Sequence, residues 1–180
     1  STMSEAASKL QRHPMLYKAT GDIVISATDK SILHRFCVHT VVLAKHSPVF
    51  ADMLTLPMHE VDMQKYDRIP MIYLPENAKD VASLLEVLYT PSSPLFKRSD
   101  WAFAKEVYGL MSTVTKYQFD SICTAIVHYL KSEWPTTLAE FVRFKMDIYH
   151  DHAFAGPFTS AVWRFPEPAS AIRLAMDFNV

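Results

Sequence analysis

Two periods of apolar spacing divide this chain. Between residues 21 and 75 the apolar positions come in short runs. Gly21-Asp22 opens Ile23-Val24-Ile25, β-branched residues bounded by turn signals, which predicts a buried strand. Thr28-Asp29-Lys30-Ser31 is a polar turn. Phe36 and Val38 then alternate with Arg35 and Cys37, predicting a second strand and hence a hairpin. Met71-Ile72-Tyr73-Leu74, ended by Pro75, predicts a third. Val41, Val42 and Leu43 predict a short helix over 39–45.

Helical spacing dominates the rest. Ser47-Pro48 is a helix start, because serine caps the free amides of the first turn and proline at N1 lacks only an N–H that has no partner there. Val49, Phe50, Met53 and Leu54 follow at helical intervals. Pro57 to Arg68 lacks periodicity and reads as a variable loop. Asn77 caps a helix with Val81, Leu84, Leu85 and Leu88 on one face. Ser99-Asp100 opens another, with Ala104, Val107, Tyr108, Met111 and Val114 in a stripe. Phe119, Ile122, Cys123, Ile126 and Leu130 make a further one, broken by Trp134-Pro135. Leu138, Phe141, Val142, Ile148 and Tyr149 predict a helix near 137–150. Pro157, Pro166 and Pro168 then punctuate two short pieces, the last carrying Ile172, Ala175 and Met176. Strands first and helices afterwards define an α+β protein, a small three-stranded sheet with clustered helices and further C-terminal helices. Residues 1–20 read as a frayed arm headed by a cloning remnant, Ser1-Thr2.

Composition narrows the function. The 180 residues carry 18 basic and 19 acidic side chains, a formal net charge of −1, which argues against the basic stripe of a nucleic-acid binder. Three glycines, far apart, leave no glycine-rich phosphate loop. Cys37 and Cys123 form no CxxC pair and read as thiols of a reducing compartment, cytoplasmic or nuclear. No apolar stretch is long enough to span a bilayer, so no membrane partner is expected.

The candidate chemistry is sparse. His150-Asp151-His152 is the densest metal-like cluster, but its histidines at i, i+2 share no helix face. A hydrolase built on Ser47, His39 and Asp22 would lack a Gly-x-Ser-x-Gly elbow, and Ser47 is better explained as a cap. No catalytic, cofactor or metal residues are therefore assigned. Leu95, Phe96, Trp101 and Phe103 cluster around a helix start. Trp101 and Phe103 point to different faces, so these aromatics are candidate anchors for a partner protein.

Asp22-Ile-Val-Ile, Phe36-Cys-Val-His39, Val42-Leu43-Ala44-x-x-Ser47-Pro48-Val49-Phe50, Ile72-Tyr-Leu74 and Leu88-Tyr89-Thr90 follow in a fixed order. Together they resemble the BTB/POZ domain, over roughly residues 21–131. Lys116-Tyr117-x-Phe119 matches the junction between the last two helices of that fold. Residues 132–180 resemble a short, BACK-like helical extension. The resemblance implies a protein-interaction module without enzymatic activity. Asp22, Phe36, His39, Leu43, Ser47, Phe50, Leu88 and Tyr89 would be its structural signature. It further implies a homodimer built around the first helix, with Thr40, Val41 and Val42 as candidate interface residues; some members also exchange an N-terminal strand. One branch of the family binds a cullin as the substrate adaptor of a ubiquitin ligase, and others serve as transcriptional or scaffolding dimers. The cullin branch carries a hydrophobic-x-Glu motif after Leu-Tyr-Thr. Here Phe103-Ala104-Lys105 has the anchor with the wrong charge, and Ala104-Lys105-Glu106 has the glutamate with a weak anchor.

Overall fold

A computed structural model describes residues 9–55, 64–90, 103–135, 137–154 and 168–179. The elements run β1 (Lys9–Tyr17), β2 (Ile23–Asp29), β3 (Ile32–Val38), α1 (Thr40–His46), α2 (Pro48–Thr55), β4 (Lys65–Tyr66), β5 (Ile69–Asn77), α3 (Ala78–Tyr89), α4 (Phe103–Lys116), α5 (Asp120–Glu133), α6 (Leu138–Phe154) and α7 (Pro168–Phe178). The α+β class and the helix order follow the sequence pattern. The chain divides into two compact units, residues 1–91 with 113–120, and residues 92–112 with 121–180.

Among the described residues of the first unit the sheet has five strands in the order β1-β3-β2-β5-β4, where the apolar runs predict three. β2 and β3 form the expected antiparallel hairpin, and β2 pairs in parallel with β5. β2 is buried from Ile23 to Ala27, which is why it reads as a continuous apolar run with little alternation. The two additional strands sit at the edges. β4 joins β5 through a two-residue turn in which Asp67 (φ 51°) and Arg68 (φ 68°) are both left-handed. That backbone favours Asn-Gly or Asp-Gly, and the side chain of Arg68 hides the signal.

The N-terminal segment is also more ordered than a frayed arm. β1 pairs in parallel with β3 of its own chain, with a register break between Arg12 and Tyr17 around Pro14. It buries Leu16 and leaves Leu10 and Met15 exposed. The strand order places β1 and β4 at opposite edges, yet Arg12 reaches both Tyr66 and Asp67, and the Tyr17 hydroxyl donates to Asp67. The sheet is therefore curled until its edges meet. Burial, followed by the hydrogen bond to Asp67, pushes the Tyr17 phenol up to about 12.

Gly21 closes the turn between β1 and β2, donating its N–H to the Lys18 carbonyl. A Cβ there would lie 2.9 Å from the Cys37 carbonyl carbon and 2.9 Å from the Val38 nitrogen, so the close approach of the turn to β3 requires glycine.

The second unit is helical. Phe103, Ala104, Val107, Leu110 and Met111 of α4 are buried, as are Ile122, Ile126 and Leu130 of α5. Thr137 and Glu140 form a reciprocal capping box at the start of α6: the Glu140 carboxylate accepts from the Thr137 N–H and the Thr137 hydroxyl accepts from the Glu140 N–H. On α7 the buried residue is Leu174, whereas Ile172 and Met176 of the expected stripe are exposed.

Candidate interaction surface

The signature residues form an internal framework, and each makes a specific contact. Asp22, at the entry to β2, accepts two hydrogen bonds from Thr40, one from its N–H and one from its hydroxyl, both 2.7 Å. His39 is the N-cap residue of α1 but supplies no side-chain cap of its own. Asp22 thus caps α1 from a distant strand, where its negative charge also suits the positive helix terminus.

His39 is half-buried and fully engaged. Its N–H donates to the Tyr89 hydroxyl at 2.9 Å, its Nδ1 lies 2.9 Å from the same oxygen, and its Nε2 lies 3.0 Å from the Thr20 hydroxyl. With Nε2 protonated, Tyr89 donates to Nδ1 and Nε2 donates to Thr20, so every polar atom is satisfied. The histidine therefore ties the end of β3 to the end of α3. Burial pushes the Tyr89 phenol upward, against the hydrogen bond it accepts from His39.

Ser47 joins three helices. Its N–H closes α1 on the Leu43 carbonyl. Its hydroxyl oxygen accepts the Phe50 N–H at 3.0 Å, the predicted cap of α2. The hydroxyl proton goes to the Tyr117 carbonyl, 2.5 Å away, one of the carbonyls that the end of α4 leaves without a helical partner. Beyond it Gln118 is left-handed (φ 55°), and the Gln118→Thr115 and Phe119→Val114 bonds complete a Schellman ending. The rings of Tyr117 and Phe119 lie 5.1 and 5.7 Å from that of Phe50, which is fully buried. Glu76 locks the same corner, accepting from Lys116 and, at 2.8 Å, from the Tyr117 hydroxyl. Burial raises the Glu76 carboxyl, but those two hydrogen bonds, a backbone hydrogen bond and the charge of Lys116 together outweigh it and hold the group below the usual carboxylate range. The same burial and bond push Tyr117 up.

Ser47, His39 and Asp22 are thus each engaged in a separate structural contact. Phe36 and Leu43 are fully buried, while Leu88 and Tyr89 are half-buried. Burial pushes the Cys37 thiol up, which disfavours the thiolate. His150, Asp151 and His152 lie within α6. Among the described residues, no group of three histidine, cysteine or carboxylate side chains is placed to hold a metal ion. No described helix is long and apolar enough to cross a membrane.

The surfaces divide differently from the sequence expectation. Val41, on the outer face of α1, is 69% exposed, with Thr40 and Val42 half-buried beside it. Phe103 is the correction: expected as an exposed anchor, it is buried with its ring 4.4 Å from that of Tyr129. Helical spacing places it with Val107 and Leu110 on the inner side of α4. Ala104 is buried too, leaving Glu106 and Lys105 exposed. Leu95, Phe96, Trp101 and the Ser99-Asp100 helix start lie outside the described residues. On α6, Leu138, Phe141, Val142, Met146 and Tyr149 are exposed, although nothing in the sequence signals that this helix leaves its apolar side uncovered. Their spacing was legible, but it looks the same whether the stripe faces a core or solvent.

No curated protein sequence matches the chain. The family model of the BTB/POZ domain matches residues 13–133, a span that begins inside β1 and ends with α5. It thereby takes in the strand pairing, the Asp22, His39 and Ser47 contacts and the Tyr117 corner. On that match, and on the framework its signature residues build, the chain belongs to the BTB/POZ domain family of protein-interaction modules.

Proposed function

We propose that this chain forms a homodimer through α1 and its surroundings and uses the dimer to recruit partner proteins. The observation that carries the reading is Val41. It is a β-branched apolar residue, 69% exposed, on a seven-residue helix that is capped by Asp22 and rigidly tied by His39 and Ser47. A preorganised apolar surface is what a protein interface favours, because little entropy is lost on docking. The framework beneath it is engaged in packing, and we assign it no catalytic role. Sedimentation equilibrium tests the proposal: a dimer at micromolar concentration is expected, and a monomer throughout that range would overturn it.

A transcriptional or scaffolding dimer is favoured over a cullin-dependent substrate adaptor. The adaptor motif needs an exposed apolar anchor two residues before its glutamate. Here Ala104, two residues before the exposed Glu106, is small and buried, and Phe103 is buried as well. A pull-down with a cullin N-terminal region, run beside a known adaptor, is expected to show no retention; retention comparable to the adaptor would reverse the preference. We propose a cytoplasmic or nuclear location, where Cys37 and Cys123 stay reduced.

A further inference from the structure

The helix α6 is exposed on nearly all sides at its described positions, and its exposed apolar residues gather on one of them. With 3.6 residues per turn, Leu138, Phe141, Val142, Lys145 and Tyr149 share one face, bordered by Met146. The five apolar members are between 46% and 79% exposed. The opposite side carries Glu140, Arg143, Phe144 and Asp147. Together with Lys131 and Trp134 they line a cavity of about 410 Å³ at the α5–α6 junction. Phe144 turns toward Trp134, with ring centroids 6.2 Å apart. Glu140, Arg143 and Asp147 are exposed along this open groove, and the apolar stripe on the other side is exposed as well. An exposed continuous stripe of this kind marks a binding surface, whereas scattered single residues would not.

Charge decides what the stripe accepts. The charged group within it is Lys145, whose ammonium lies 5.7 Å from the Phe141 ring centroid. Arg143 lies beyond Met146 on the border with the cavity. The acids Glu140 and Asp147 are on the far side, and Glu140 is held in the capping box. A second copy docking α6 against α6 would bring lysine toward lysine with no carboxylate in either stripe, so self-pairing is opposed. An amphipathic helix with apolar residues at i, i+3, i+4 and i+7 and flanking carboxylates meets both the stripe and its charge.

We propose that α6 is a docking surface for an acidic amphipathic helix of another protein. This rests on the reading of the chain as an interaction module and adds the chemical class of one partner. It does not depend on the homodimer, which uses α1.

The test uses the whole chain and three labelled synthetic peptides of equal length. One has the apolar pattern with glutamate flanks, the second the same pattern with lysine flanks, and the third the glutamate flanks with glutamine at the apolar positions. Fluorescence polarisation should show saturable binding of the first alone, weakening severalfold from low to high salt. Phe141→Glu should weaken it about tenfold or more, as loss of an aromatic anchor does. Lys145→Glu, at an exposed position, should weaken it severalfold and reverse the preference between the charged peptides. Val41→Asp should leave it unchanged. Equal binding of the first two peptides, binding of the glutamine peptide, no binding of the first peptide, or indifference to both α6 variants would overturn the inference. So would a dimer that Phe141→Glu dissociates and Val41→Asp does not, which would assign the stripe to a second copy. Absence of binding of the first peptide by the wild-type chain, with the Val41-dependent dimer intact, would fail this inference alone.

Discussion

Phe50 and Phe141 are the same side chain on two helices, and their surroundings could hardly differ more. Phe50 on α2 is fully buried between Tyr117 and Phe119, on a helix whose cap is itself bonded to the end of α4. Phe141 on α6 is 46% exposed, with Lys145 over its ring. The contrast extends to their regions. Around Phe50, polar residues close the framework: Ser47, Asp22, His39 and Glu76 each hold a backbone or side-chain group of another element by a hydrogen bond. Around Phe141, apolar residues face outward. The first region is built for stability and the second is the docking surface we propose, and their hydropathy patterns alone would not separate them.

Truncations should expose the difference, and the largest effect is expected at Phe50. Phe50→Ala should cost about 3–5 kcal/mol in urea unfolding, the range for removing a fully buried aromatic ring. Gly21→Ala should cost about 1–3 kcal/mol, because its methyl overlaps the β3 backbone, and the loss should appear as a lower midpoint with an unchanged slope. Ser47→Ala should cost a similar amount, about 1–3 kcal/mol, since it removes a cap and strands the Tyr117 carbonyl in one step.

Glu76→Gln should cost less, about 1–2 kcal/mol, because Lys116 is half-exposed and water screens part of the interaction. It also carries a pH signature. The folded protein holds this carboxyl below its unfolded value, so the contribution is complete above the ordinary carboxylate range of about pH 4. It is lost as pH falls through the depressed folded value. Thermal melts from neutral to acidic pH should therefore converge for wild type and variant at the acid end. Phe141→Ser should be nearly neutral, within about 0.5 kcal/mol, as at an exposed position. A loss comparable to that of Phe50→Ala would collapse the distinction between the regions.

Much of the framework was legible in the sequence because it is local. Ser47-Pro48 and Asn77 announce the starts of α2 and α3, and Asn77 does accept the Lys79 N–H. The block from His39 to Phe50 and the Tyr117 corner carried the family resemblance. What was not legible depends on distant partners or on unusual turn chemistry. β1 is obscured by Pro14 and the register break, which erase the alternation. β4 is obscured by Asp67-Arg68 in place of a glycine turn. Phe103 looked like an anchor because its sequence neighbours are aromatic, yet α4 turns it inward onto Tyr129. The stripe on α6 was visible as a periodicity, but only burial shows which way it faces.

The most direct test of the central claim is the mass of wild type and Val41→Asp, measured side by side by light scattering at the same micromolar concentration. The account predicts about twice the 20.5 kDa chain for wild type, close to the single-chain mass for the variant, and a variant that keeps the wild-type circular dichroism spectrum but melts lower, because it has lost the stabilisation that association supplies. A wild-type mass of one chain, or a dimer indifferent to Val41→Asp, would contradict it.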